Sequence, residues 1–189
     1  MRIIAGEWRG RTIRAPRDER VRPTGDRARE AWMSMLQYDI PGARIVDLFA
    51  GSGALGLEAL SRGAAFCDFV ELSDAGLRAI RENAAALGAL DRVAIHRGDA
   101  IRYVQKAAGT PWDIAFADPP YNLGLGPRIG KLWLTRPFSR ILGIEHDVHE
   151  TLPEGGTMRK YGGTAVTVYM QKTRRRQAED EKTRRREDE

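Results

Sequence analysis

From Arg44 to Ala117 the chain repeats one pattern: a short apolar run, then a stretch whose apolar residues recur every three or four positions. The runs Arg44–Phe49, Phe66–Leu72, Arg92–His96 and Trp112–Ala117 predict buried strands. Between them the spacing predicts helices over Ala54–Arg62, Asp74–Leu87 and Ala100–Ala107, the second with Leu77, Ile80, Ala84 and Leu87 on one face. Ile141–Glu145 predicts a fifth strand. Residues 157–170 predict two short strands around Gly162-Gly163, a hairpin at the sheet edge. Strands alternating with helices build a parallel sheet covered on both faces, because parallel neighbours need a crossover between them. The fold class is therefore α/β.

The flanks are less regular. Residues 2–14 alternate apolar pairs with Arg and contain Gly6 and Gly10, which predicts a short hairpin with a basic exposed face and Trp8 near its turn. Arg17 to Arg22 is a charged loop. Thr24 then caps a helix to about Tyr38, with Ala28, Ala31, Met35 and Leu36 on its apolar side. Residues 122–140 mix Gly, Pro and the apolar Leu132–Leu134, and predict only an irregular helix. From Thr173 the sequence is a run of mixed charge that cannot bury enough surface to order itself.

A chain of 189 residues suits one core, and 42% hydrophobic with 30% charged residues describes a globular protein rather than a disordered one. No run reaches the roughly 18 apolar residues of a spanning helix. The charged N-terminus does not read as a secretory signal, so a cytoplasmic location is expected. Cys67, the only cysteine, reads as a buried thiol. The net charge of +5 is concentrated at the ends: residues 1–29 carry nine Arg against four acids, and 172–189 eight Lys and Arg against six. A basic flank on a near-neutral body suits a polyanion or a merely solvated arm. Three regions follow: 1–40, basic hairpin and helix; 41–171, the α/β domain; 172–189, a charged and disordered tail.

Two stretches carry chemistry. Asp47 to Gly56, DLFAGSGALG, joins a strand to a helix through Gly51, Gly53 and Gly56, and Glu71 ends the next strand. Glycines let a ligand approach the backbone, a helix N-terminus offers amide donors, and the Glu71 carboxylate can accept from two ribose hydroxyls. The spacing also satisfies a dinucleotide fingerprint. Asp47 weighs against that, since it would repel a pyrophosphate but suit an ammonium. S-adenosylmethionine has an ammonium, a sulfonium and ribose hydroxyls, without phosphate. Phe49, Leu72 and Ala100 flank the same positions. Asp99 either reaches an adenine amino group or caps the next helix.

The second stretch is Asp118-Pro119-Pro120-Tyr121, which follows the apolar strand end Ile114–Ala117 and so sits at the carboxyl edge of the sheet. The Asp118 carboxylate and Pro119 carbonyl can both accept from one exocyclic amino group, orienting its lone pair and stabilising charge that develops on nitrogen. Consecutive prolines stiffen the backbone. Tyr121 can stack on a base swung out of its helix. His96 at a strand end, with His146 and His149 in loops, offers no metal-ligand set beside the distant Cys67, and no metal is expected.

These stretches, with RIIAGEWRGRTIRAP, RPTGDRARE and IEH, resemble the RsmD family of bacterial 16S rRNA (guanine-N2)-methyltransferases over about Arg2 to His146. The glycine loop and DPPY are shared with many amino-methyltransferases; the N-terminal pair narrows the likeness. The resemblance implies a class I S-adenosylmethionine-dependent methyltransferase fold: Rossmann-like, with a mostly parallel sheet, helices on both faces, a C-terminal antiparallel hairpin and a short basic N-terminal β-hairpin extension. It implies S-adenosylmethionine at Asp47, Gly51, Gly53, Glu71 and Asp99, and the target amine at Asp118, Pro119, Pro120 and Tyr121. It further implies rRNA contact through Arg2, Arg9, Arg11, Arg22, Thr24 and Arg27. The partner it implies is the small ribosomal subunit or its assembly intermediate, met by a monomer. DNA adenine-N6 or other amino methylation, and a non-catalytic RNA-binding assembly factor, are the competing readings.

Overall fold

The computed structural model describes residues 1–15, 26–109, 111–121 and 123–171. The charged loop 17–22, Arg22, Thr24 and the 172–189 tail lie outside them. The predicted alternation is realised as α1 (Asp26–Met35), β1 (Arg44–Leu48), α2 (Ala54–Ser61), β2 (Phe66–Glu71) and α3 (Asp74–Leu87). A 3₁₀ turn at Leu90–Arg92 leads into β3 (Val93–Arg97), then α4 (Ala100–Lys106), β4 (Trp112–Ala117), α5 (Leu125–Thr135), β5 (Ser139–Asp147), β6 (Thr157–Tyr161) and β7 (Thr164–Met170). The sheet order is β3-β2-β1-β4-β5-β7-β6, parallel through β5, with β7 antiparallel to both β5 and β6. This is the expected methyltransferase sheet, and its edge hairpin turns at Gly162-Gly163 as the sequence predicts.

Alternation along each strand divides the core. Ile45, Cys67, Phe69, Ile114 and Phe116 face one layer with Trp32, Leu57 and Ile80, while Val46, Leu48, Val70, Ala115 and Leu142 face another with Val104, Ile129 and Trp133. Burying each such side chain contributes about 1.5–3 kcal/mol. The Cys67 thiol is buried as expected, and burial pushes its pKa up.

Four local expectations are corrected. Residues 2–14 do not pair as a strand hairpin: one antiparallel bridge, Arg2 to Thr12, closes the segment. The cause is tertiary. Ile3, Trp8 and Ile13 insert into the core beside α2 and α3, leaving Arg2, Arg9 and Arg11 exposed. Helix α1 ends at Met35 rather than near Tyr38 and buries Ala28, Trp32 and Met33, with Leu36 buried just beyond it, whereas Ala31 and Met35 are only half-buried. The segment after DPPY contains a regular eleven-residue helix, α5, whose buried face is Gly126, Ile129, Gly130 and Trp133. His146 belongs to β5, not a loop; its ring is buried, with Nε2 2.9 Å from Thr167 Oγ1.

Candidate functional site

β1 ends in a backbone turn that only a few residues tolerate. Phe49 has φ 61°, a left-handed conformation costing a non-glycine residue about 1–2 kcal/mol, and Gly53 at φ 79° begins α2. Strain of this kind persists where surrounding contacts fix it, as they do at many ligand-binding loops. Here the fixing groups are two carboxylates. Asp47 Oδ2 accepts from the Gly56 amide at 2.9 Å, and Glu71 Oε2 accepts from the Gly51 amide at 2.8 Å. Glu71 Oε1 also accepts from the Ser73 amide at 2.7 Å.

The strand register explains how a third carboxylate joins them. Asp47 lies level with Phe69 on β2 and Phe116 on β4, and Glu71 and Asp118 each lie two residues beyond those partners. Residues two apart share a face, adjacent strands are about 4.8 Å apart and two residues advance about 7 Å. Asp47, Glu71 and Asp118 therefore gather on one face at the carboxyl ends of β2, β1 and β4. Asp47 is only 1% exposed, and burial drives its pKa well above the usual carboxylate value. The Gly56 amide opposes the shift; the charges of Asp118 and Glu71 add to it.

Such a site selects the sign of its ligand. The Gly51 amide of the glycine loop and the Gly56 amide in the first turn of α2 are already taken by protein carboxylates, and three acidic groups converge on the same edge. A pyrophosphate would find donors occupied and repulsion in place, so the dinucleotide reading loses its chemical basis. A cationic ligand relieves the mutual repulsion of the carboxylates, and S-adenosylmethionine, with its sulfonium and ammonium, fits this donor set. Each Glu71 oxygen accepts one amide in the hydrogen bonds described, which leaves acceptor capacity for ribose hydroxyls.

The remaining predicted residues fall around that edge. Leu72, next to Glu71, is 67% exposed, a large apolar side chain held in solvent at the strand tip. Asp99 caps α4, its Oδ1 accepting from the Arg102 amide at 2.8 Å, and Ala100 is buried beneath it. Asp118 is half-buried and Pro119 buried, with Pro120 exposed. The Tyr121 hydroxyl donates to Glu145 Oε1 at 3.1 Å and lies 3.1 Å from Thr164 Oγ1. Among the described residues no three His, Cys, Asp or Glu side chains group to hold a metal ion, and no helix is long and apolar enough to cross a membrane.

The basic N-terminal segment sits elsewhere. Ile4 and Ala5 donate their amides to the two oxygens of Glu58, at 2.8 and 3.0 Å, and Trp8 donates to Ser61 Oγ at 2.9 Å. Glu58 and Ser61 are at the end of α2 that leads into β2, so the Gly6–Gly10 turn with Arg9 lies at the amino end of the sheet. Arg14 returns toward the ligand edge, where Asn83 of α3 bonds both its amide and its carbonyl and also the Ser52 carbonyl of the glycine loop. The side chain of Arg27 falls outside the described ones. Sequence reasoning missed Glu58, Asn83, Glu145 and Thr164. Glu58, Asn83 and Glu145 are buried polar side chains and Thr164 is half-buried beside one of them, a placement that is not written in local pattern.

The chain is similar to known proteins in both sequence and fold. A family model described as conserved hypothetical protein 95 matches residues 1–170. The ribosomal RNA small subunit methyltransferase D of Escherichia coli strain K12 is 43% identical over 158 residues, 81% of this chain and 78% of that protein. A solved methyltransferase structure from Escherichia coli superposes with a TM-score of 0.78 at 34% identity, covering 92% of this chain and 99% of that one. An RNA methyltransferase from Salinibacter ruber, solved in complex with S-adenosyl-L-homocysteine, shares the fold at a TM-score of 0.62 and 16% identity, over 79% of this chain and 93% of its own.

Proposed function

This chain belongs to the conserved hypothetical protein 95 family, and on that premise we propose that it transfers a methyl group from S-adenosylmethionine to the exocyclic N2 of a guanine in small-subunit 16S rRNA. The observation that carries the reading is the gathering of Asp47, Glu71 and Asp118 on one sheet face beside Pro119, Pro120 and Tyr121. S-adenosylmethionine, when bound, supplies an electrophilic methyl on a cationic sulfur. Glu71 accepts from its ribose hydroxyls, with Leu72, Asp99 and Ala100 lining the adenine. Gly51 and Gly53 let it approach the backbone, and Phe49 continues that floor. Asp47 acts through its field and through the α2 turn that it holds. Asp118 and the Pro119 carbonyl accept from the target amine, aligning its lone pair and stabilising the positive charge that grows on nitrogen. The amine is the nucleophile, so no covalent enzyme intermediate is required.

Arg2, Arg9 and Arg11, with Arg22, Thr24 and Arg27 in the following stretch, make the rRNA contacts from region 1–40, while 41–171 carries the chemistry. A target that engages both ends of the molecule needs an extended, shaped surface, which supports an assembled ribosomal particle as substrate, met by a monomer in the cytoplasm. The test is transfer of tritiated methyl to small subunits from a strain lacking this gene, with naked rRNA and DNA alongside, then nucleoside analysis. N2-methylguanosine from the particle is the expected product. Label on DNA adenine would remove the RNA assignment, and no label with intact cofactor binding would favour a non-catalytic assembly factor.

A further inference from the structure

Tyr121 ends the DPPY stretch, and its hydroxyl is held by two side chains of the sheet. It sits between Glu145, 3% exposed on β5, and Thr164, the first residue of β7. The register accounts for the meeting. β5 runs toward the ligand edge, β7 pairs with it antiparallel, and Thr164 lies opposite Asp147, two residues beyond Glu145. The turn of the β6–β7 hairpin is thereby brought against the catalytic edge. A phenol has one proton to donate. Given to the Glu145 carboxylate, it leaves the phenol oxygen to accept from the Thr164 hydroxyl. The chain runs Thr164 to Tyr121 to Glu145, and such chains strengthen by mutual polarisation. Burial pushes the phenol pKa up, the Thr164 hydrogen bond opposes the shift and the Glu145 and Asp118 charges add to it, so the donor persists at neutral pH.

We infer that Glu145 and Thr164 are positioning residues for the target base, a two-strand clamp that fixes the Tyr121 ring at the catalytic edge. The inference rests on the proposed function and deepens it, assigning the antiparallel end of the sheet a part in holding the acceptor. An aromatic platform tethered only at its Cα would sweep through its rotamers; one tethered also at its hydroxyl presents a single plane. Aligning the amine with the methyl depends on that plane, because small misplacements of reacting atoms cost large factors in rate. Cofactor binding, centred on β1 and β2, lies outside the clamp.

The experiment is a double-mutant cycle with Tyr121→Phe, Thr164→Val and both together, plus Thr164→Ser as the conservative variant. Each protein is assayed for methyl transfer to the particle, for S-adenosylmethionine affinity by calorimetry, and for its urea unfolding midpoint. Each single change is expected to lower kcat/KM about tenfold with cofactor affinity unchanged. The pair should fall no further than either alone, and Thr164→Ser should stay near the wild type. Additive losses, or a Thr164→Val enzyme with wild-type kcat/KM, would overturn the clamp. If the wild type labels no guanine, the proposed function fails on its own, and the unfolding midpoints still decide the clamp: coupled shifts sustain it as a contact, additive shifts remove it.

Discussion

Gly76 offers a way to separate the cofactor site from the fold that carries it. It lies in the first turn of α3, where its amide donates to the capping Ser73 Oγ at 3.1 Å. A methyl group there would fall 2.6 Å from Glu71 Cγ, 2.8 Å from Glu71 Cδ and 2.9 Å from the Gly51 carbonyl oxygen. The helix itself favours Gly76→Ala by about 0.5–1 kcal/mol, while overpacking costs about 1–3 kcal/mol. Net destabilisation of about 0–2.5 kcal/mol is expected, so the variant folds. What gives way is the Glu71 side chain, pinned between the Gly51 and Ser73 amides. Losing one hydrogen bond to a charged group costs about 1.5–3 kcal/mol, or roughly ten- to a hundredfold in affinity. Calorimetric titration with S-adenosylmethionine at pH 7, beside urea unfolding, reads both quantities. A variant that binds within about twofold of the wild type would refute the placement of Glu71 as a cofactor ligand.

Asp118→Asn should lower kcat about a hundredfold or more while cofactor affinity holds, since the lost charge acts on the developing cation; equilibrium binding and single-turnover rates check it. Asp47 gives a prediction of opposite signs. Because its folded pKa is raised, its contribution to stability is fully present below the ordinary value of 3.8 and is lost as pH rises through the raised value. Asp47→Asn should therefore raise the melting temperature of the unliganded protein at pH 7 and weaken cofactor binding, in thermal melts with and without S-adenosylmethionine. Glu58→Ala leaves the Ile4 and Ala5 amides without their acceptor and Arg62 without its partner, and should cost about 3 kcal/mol in urea unfolding. Changing Arg9 and Arg11 together to Gln should flatten the salt dependence of particle binding, seen in filter-binding assays from low to high salt; an unchanged slope would assign them to solvent.

The central sheet was legible because β1, β2 and β4 are nearly continuous apolar runs, the mark of strands buried on both faces. The glycine loop and DPPY were legible because their chemistry is local. Where the reading failed, the determinants are distant. Two of the four buried positions of α5 are Gly126 and Gly130, so its stripe lacks the apolar residues a periodicity search needs; their hydrogens admit Leu152, Pro153 and Ile144. Ile3, Trp8 and Ile13 are five residues apart and fit neither a helical nor a strand period, since each fills a hole made by helices far along the chain. The hydrogen-bond partners of Tyr121 are brought by strands 24 and 43 residues away, which no local pattern announces.

The docking of the first fourteen residues also bears on the order in which the chain takes shape. Every hydrogen bond that seats the segment on α2 or α3 spans a long separation: 54 residues from Ile4 to Glu58, 69 from Arg14 to Asn83 and 75 from Arg11 to Ala86. Closing loops of that length is entropically costly until the partners are themselves in place. This stretch is made before its partners and therefore has nowhere to bind until α3 has followed it. When it closes, it stitches α2 to α3 and ties the Ser52 turn through Asn83. The start of the chain thus acts as a latch, and the cofactor floor gains its last fixed point from residues made before any of it.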